Sequence, residues 1–161
     1  MKKVLYLHGL ESNQGGPKVD FLAKEFIVHA PEMDYKSEHL SYQLDNIMVN
    51  FKPDIIIGSS MGGYVADILA RSYGKAAILF NPALHNRSFD PNISNYIPDE
   101  DDILQDNKIV VLGKNDEVIP PYITKIMLEN SHYYEIVLEE MGHQIPFNIF
   151  IDTINKYKNE M

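Results

Sequence analysis

In the stretch Asp54-Ile55-Ile56-Ile57-Gly58-Ser59-Ser60-Met61-Gly62, an apolar run ends in serines between glycines, and a helical pattern follows at once. Glycine and serine by themselves make turns. A Gly-x-Ser-x-Gly sequence between a strand and a helix is also the written form of a nucleophile elbow. The two readings make different demands on the rest of the chain. A plain turn demands nothing. An elbow demands a parallel sheet around it, and a base and a carboxylate at neighbouring strand ends.

The sheet is written in the periodicity. Short runs rich in Val, Ile, Leu, Tyr and Phe fall at residues 3–7, 26–29, 54–58, 76–80, 108–112 and 133–138. Several are apolar without a break, which suits strands covered on both faces. Helical patterns lie between most of them. Residues 17–25 carry Val19 and Leu22 at helical spacing, running on to Phe26, with Pro17 near the first turn. Further stripes are Leu40, Leu44, Ile47, Met48 and Phe51; Tyr64, Val65, Ile68 and Leu69; Ile123, Ile126 and Met127; and Phe147, Ile149, Phe150, Ile154 and Tyr157. Strands alternating with helices predict an α/β domain with a mostly parallel six-stranded sheet and helices on both faces, a three-layer α/β/α sandwich.

At 161 residues the chain fits one domain, residues 1–161. Residues 83–106 interrupt the rhythm with Pro91, Pro98 and the acidic run Asp99-Glu100-Asp101-Asp102. A segment of that length is read either as a lid over a site or as a solvated surface excursion. The formal charge of −9 argues against nucleic-acid or anionic-membrane partners, both of which select positive charge. There is no cysteine, hence no disulfide framework, thiolate metal site or cysteine nucleophile. The apolar run after Lys2-Lys3 is short for a signal sequence, and no run approaches the roughly 20 apolar residues of a membrane helix. A cytoplasmic protein is expected.

An elbow serine needs a base, and the base needs an orienting carboxylate. Of six histidines, His143 stands in Glu139-Glu140-Met141-Gly142-His143-Gln144, after the last strand and before the last helix. His132 precedes that strand, at the opposite sheet edge, and His39 lies in a helical pattern. His29 ends the second strand with no motif around it, and His85 opens the irregular segment. His143 is the expected base. Strand 108–112 runs into Gly113-Lys114-Asn115-Asp116-Glu117, where Asp116 is the expected carboxylate and Glu117 the fallback. Asp116 read alone is a turn residue. It gains its meaning from the order Ser60, Asp116, His143. Ser59 holds the variable place in the motif and is expected to pack or hydrogen-bond locally. The glycines beside Ser60, Gly58 and Gly62, are expected where side chains would meet neighbouring backbone.

His8 and Gly9 end the first strand. The loop after it is placed to supply one oxyanion N–H from Leu10, with a second from Met61 at the start of the helix. His8 is expected to brace that loop by hydrogen bonds. No histidine pair stands at ligand spacing on one helix, and neither a Walker A nor a Gly-x-Gly-x-x-Gly sequence is present. No metal or organic cofactor is expected.

Four pieces in order, Tyr6-Leu7-His8-Gly9-Leu10, Gly58-Ser59-Ser60-Met61-Gly62, Gly113-Lys114-Asn115-Asp116 and Gly142-His143, resemble the α/β-hydrolase superfamily. The short length and the early His-Gly resemble its branch of small YqiA-like esterases. The resemblance implies a six-stranded core, with the first strand here matching the third of the full superfamily sheet. It also implies hydrolysis of a small-molecule carboxylic ester or thioester without a cofactor. The expected enzyme is a serine esterase. A thioesterase or acyltransferase on the same three residues is the nearest alternative, and a non-catalytic binding protein on the same fold is the alternative of another class. Were the acidic segment to border the mouth, it would repel anionic acyl carriers and favour neutral short-chain esters. Oligomeric state is not written in the sequence.

Overall fold

The unbroken apolar strands reflect a sheet buried on both faces. The structure, a computed structural model, describes residues 1–10, 12–93, 96 and 108–161. Its strands are β1 Lys3–Leu7, β2 Ile27–His29, β3 Ile55–Ser59, β4 Ala76–Phe80, β5 Lys108–Gly113 and β6 Tyr134–Glu139. They form one sheet in the order β2-β1-β3-β4-β5-β6, and every pairing is parallel. The helices are α1 Pro17–Leu22, α2 Leu40–Asn50, α3 Met61–Tyr73, α4 Pro121–Leu128 and α5 Phe147–Tyr157.

Alternate residues of one strand point to opposite faces, and the core divides accordingly. Leu5 and Leu7 of β1, Ile56 of β3 and Leu79 of β4 pack with Leu40, Leu44, Val65 and Leu69 of α2 and α3. Val4 and Tyr6 of β1, Ile55 and Ile57 of β3 and Phe80 of β4 pack with Leu22 of α1 and Phe150 and Ile154 of α5. Helices therefore cover both faces, and the chain has the architecture of a minimal α/β-hydrolase fold.

Two helical expectations need correction. The pattern over 17–25 yields a helix only to Leu22, because the chain then tightens: the N–H groups of Lys24 and Glu25 bond to Phe21 and Leu22, three residues back. In α4 the stripe Ile123, Ile126, Met127 is not the buried face. Ile126 and Met127 are 62% and 51% exposed, whereas Thr124 and Leu128 face inward. The proline at α4's first turn and its docking beside β6 set the helix rotation, and those constraints override a short apolar stripe.

The sheet order places the site. After β1 the chain turns one way to β2, then returns across to β3 on the other side of β1. The carboxyl ends of β1 and β3 therefore bracket a topological switch point, the usual ligand crevice of an open parallel sheet. Part of the segment 83–106 lies there. Ala83 N–H donates to the Ser60 carbonyl (3.0 Å), and Asn86 Nδ2 donates to the Val118 carbonyl (2.8 Å). The Arg87 guanidinium stacks 3.9 Å from the Tyr64 ring centroid. Residues 94, 95 and 97–106, with the acidic run, lie outside the described residues, and so does the lid reading that depends on them. Among the described residues, no helix is long and apolar enough to cross a membrane.

Candidate active site

β3 delivers the chain to Ser60 at the sheet's carboxyl edge, and α3 starts at the next residue. Ser60 sits at φ 54°, a conformation most side chains avoid. Three backbone bonds hold it there. Its N–H donates to the Phe80 carbonyl, and its own carbonyl accepts from the N–H groups of Tyr64 and Ala83, all at 3.0 Å. A strained residue persists when its surroundings over-determine it, and this one is tied to β4, α3 and the segment after β4.

The turn is tight enough to exclude side chains on either side. A Cβ on Gly58 would sit 2.3 Å from the Gly62 carbonyl oxygen, and one on Gly62 would sit 2.2 Å from the Leu7 carbonyl oxygen. Both distances are far inside van der Waals contact. The two glycines thus let α3 start directly against β3 and β1.

His143 and Asp116 arrive from two other strand ends. Ser60 Oγ lies 3.1 Å from His143 Nε2, and His143 Nδ1 lies 2.9 Å from Asp116 Oδ2. With a proton on Nδ1 donated to the carboxylate, Nε2 is left to accept from the serine hydroxyl. The Asp116 side chain is fully buried, while the imidazole keeps 20% of its surface exposed toward the cleft. The other carboxylate oxygen, Oδ1, accepts from the N–H groups of Val118 (2.9 Å) and Ile119 (2.8 Å). That bonding locks the carboxylate's orientation. The fallback acid, Glu117, points to solvent.

His8 braces the β1 loop. Its Nδ1–H donates to the Gly9 carbonyl (2.7 Å), and its Nε2 accepts from the Met33 N–H (3.0 Å). Both ring nitrogens are thereby engaged away from Ser60. Gly9 lies against the elbow, 3.4 Å from Ser60 Cβ by the position its own Cβ would take. Among the described residues, neither the Leu10 N–H nor the Met61 N–H donates a hydrogen bond. Met61 is buried and Leu10 is 45% exposed. A cleft of about 430 Å³ opens above Ser60, lined by Gly9, Leu10, Ser12, Ser59, His143 and Gln144 among others. Ser59, half-buried at the end of β3, lines this cleft, and among the described residues its hydroxyl makes no hydrogen bond.

Asn81 escaped the sequence reading. It sits one residue past β4 at φ 42°, is 1% exposed, and joins three strand ends. Its Nδ2 donates to the carbonyls of Gly142 (3.1 Å) and His143 (3.0 Å). Its Oδ1 accepts from the Gly113 N–H (2.7 Å), at the root of the Asp116 loop. Asn81-Pro82 reads as an ordinary turn in one dimension, and only its positive-φ preference hinted at more. The remaining histidines stay apart from Ser60 in the described hydrogen bonding. His29 rests against the Phe51 ring, and burial lowers its pKa. Among the described residues no group of acidic and histidine side chains forms a metal site.

Residues 3–107 match the sequence profile of UPF0227, described as an uncharacterised protein family. The matched range includes Ser60 and ends before Asp116 and His143. The chain is 30% identical to the UPF0227 protein YcfP of Escherichia coli O9:H4 (strain HS), covering 88% of this chain and 89% of that one. Among solved structures, a thermophilic esterase from Thermogutta terrifontis, malate bound, superposes with TM-score 0.74 at 16% identity over 99% of this chain and 90% of that one. A Paleococcus ferrophilus monoacylglycerol lipase gives TM-score 0.73 at 15% identity, over 99% and 95%. At such identities the likeness speaks for the fold alone.

Proposed function

We propose that this chain, which belongs to the UPF0227 family, is a serine hydrolase cleaving a small carboxylic ester through Ser60, His143 and Asp116. The observation that carries the reading is the run of contacts from Ser60 Oγ to His143 Nε2 (3.1 Å) and from His143 Nδ1 to Asp116 Oδ2 (2.9 Å), built on a serine held at positive φ. Ser60 Oγ attacks the acyl carbonyl as its proton passes to His143 Nε2. Asp116 holds the imidazole and stabilises its charged form. The carbonyl oxygen becomes an oxyanion facing the N–H groups of Leu10 and Met61, neither of which is engaged elsewhere in the described structure. A donor of this kind is worth about 3–4 kcal/mol of barrier. His143 then gives its proton to the departing alcohol, leaving an acyl-Ser60. Water, deprotonated by the same imidazole, attacks the acyl carbon and releases the acid and the serine. The chemistry needs no metal or organic cofactor, and the lack of cysteine suits a cytoplasmic setting.

Labelling with a small fluorophosphonate, followed by intact mass and peptide mapping, tests the reading. One adduct on Ser60, absent from Ser60→Ala together with ester turnover, is the expected result. A folded wild-type protein that takes up no label, or a Ser60→Ala protein with full turnover, would overturn it. The first outcome would return the chain to the binding-protein alternative.

A further inference from the structure

The cleft above Ser60 has a neighbour across Ser12. A second cleft of about 380 Å³ shares that residue and is lined by Tyr6, Asn13, Lys18, Ile145 and Phe147. The segment after His143 walls both, Gln144 facing the first and Ile145 the second. The aromatic side of this second cleft belongs to the core: Tyr6 packs edge-on against Phe150, and the Lys18 ammonium stands 5.7 Å from the Phe150 ring centroid.

Two polar groups of this cleft make no hydrogen bond or ion pair among the described residues. Tyr6 is 7% exposed, and its hydroxyl, which reaches the cleft surface, makes no hydrogen bond among the described residues. Lys18 is half-buried, and among the described residues it forms no ion pair and donates no hydrogen bond. Burial pushes the Lys18 pKa down from 10.5 and the Tyr6 pKa up to about 12, with no partner offsetting either shift. Among the described residues this cation has no carboxylate partner, which leaves it open to an anion entering the cleft. No described residue lining either cleft is Asp or Glu. A hydroxyl donor and an ammonium lining one cleft suit the oxygens of a carboxylate or phosphate, with charge assistance from the lysine.

Resting on the hydrolase reading above, we infer that the esters taken by this site carry an additional carboxylate or phosphate, bound by Lys18 and Tyr6 in the neighbouring cleft that shares Ser12 with the one above Ser60. This reverses the expectation of neutral substrates, which leaned on an acidic run outside the described residues.

The test uses ethyl esters of one chain length whose far end carries a carboxylate, a phosphate monoester or a neutral methyl ester. Binding to the full-length Ser60→Ala protein is measured by calorimetry, so that turnover is not needed. At least one anionic ester should bind about tenfold tighter than the neutral one. The stronger of the two anions identifies the group. Adding Lys18→Gln should bring that ratio close to unity, Lys18→Arg should keep most of it, and Tyr6→Phe should lower it in part. Equal binding of all three esters to Ser60→Ala would overturn the inference, as would a ratio indifferent to both Lys18→Gln and Tyr6→Phe. Anion preference in Ser60→Ala beside a wild-type protein that hydrolyses none of the esters would support the subsite and sink the hydrolase reading instead.

Discussion

Asn81 shows how much one side chain contributes to the candidate site. Ser60, Asp116 and His143 each stand at a strand end with a motif or an order to mark them. Asn81 has neither mark, yet its amide links the His143 loop to the root of the Asp116 loop. It is read here as a positioning residue. Its removal should shift the imidazole relative to Ser60, lowering kcat by about a hundredfold with little change in KM. Leaving its partners buried and unpaired should lower the unfolding free energy by about 1–3 kcal/mol. Asn81→Gly is the sharper variant, since glycine tolerates the φ of 42° and removes only the side-chain bonds. A folded Asn81→Gly protein with wild-type kcat would show that the loop is held without it.

At the scale of elements, the unit that matters is β3, the turn and α3. The motif predicted glycines where side chains would meet backbone, and the structure supplies the partners: Gly58 faces the Gly62 carbonyl, and Gly62 faces the Leu7 carbonyl. Both obstacles are main chain and cannot rotate aside. Gly62→Ala should therefore push α3 away from β1, destabilise the fold by about 3 kcal/mol or more, and abolish fluorophosphonate labelling at Ser60. Denaturant unfolding followed by labelling checks both. Wild-type stability in Gly62→Ala would mean that the helix can shift at little cost. The α4 stripe teaches the opposite lesson. There, a stripe of three apolar side chains in an eight-residue helix left the rotation open, and packing buried Thr124 and Leu128 instead.

For the molecule as a whole, the sheet gathers chemistry on one edge, and the charge near it runs against the protein's average. Lys18 is a cation in a partly buried place on an acidic protein. Its folded pKa lies below its unfolded value of 10.5. Between the two values the unfolded chain binds more protons, so stability rises with pH across that window, and below it the ammonium weakens the fold. Lys18→Met keeps most of the apolar stem and removes the ammonium that stands 5.7 Å from the Phe150 ring centroid. Its Tm at pH 7 should exceed that of the wild type, with the gap narrowing as pH approaches 10.5. Paired melts across that range measure it, and a lower Tm for Lys18→Met at pH 7 would show that the ammonium finds compensation in the free protein. A charge kept where it weakens the fold is what a binding subsite would leave behind.

The sequence by itself determined the parallel α/β architecture, because a strand buried on both faces must be apolar throughout and a helix must not. It also determined the elbow, since only a sharp turn with backbone on both sides demands glycines around a serine. Chain order then selected Asp116 and His143 from several acids and histidines. Tertiary structure alone decided the rest. The contacts from Ser60 to His143 and from His143 to Asp116, the bridge at Asn81, the face that α4 buries and the cleft that Tyr6 shares with Phe147 all depend on residues apart in the chain. Periodicity reports which way a side chain faces within its own element. It carries no information about which other element will stand opposite, and that is settled only when the helices and loops pack on the sheet.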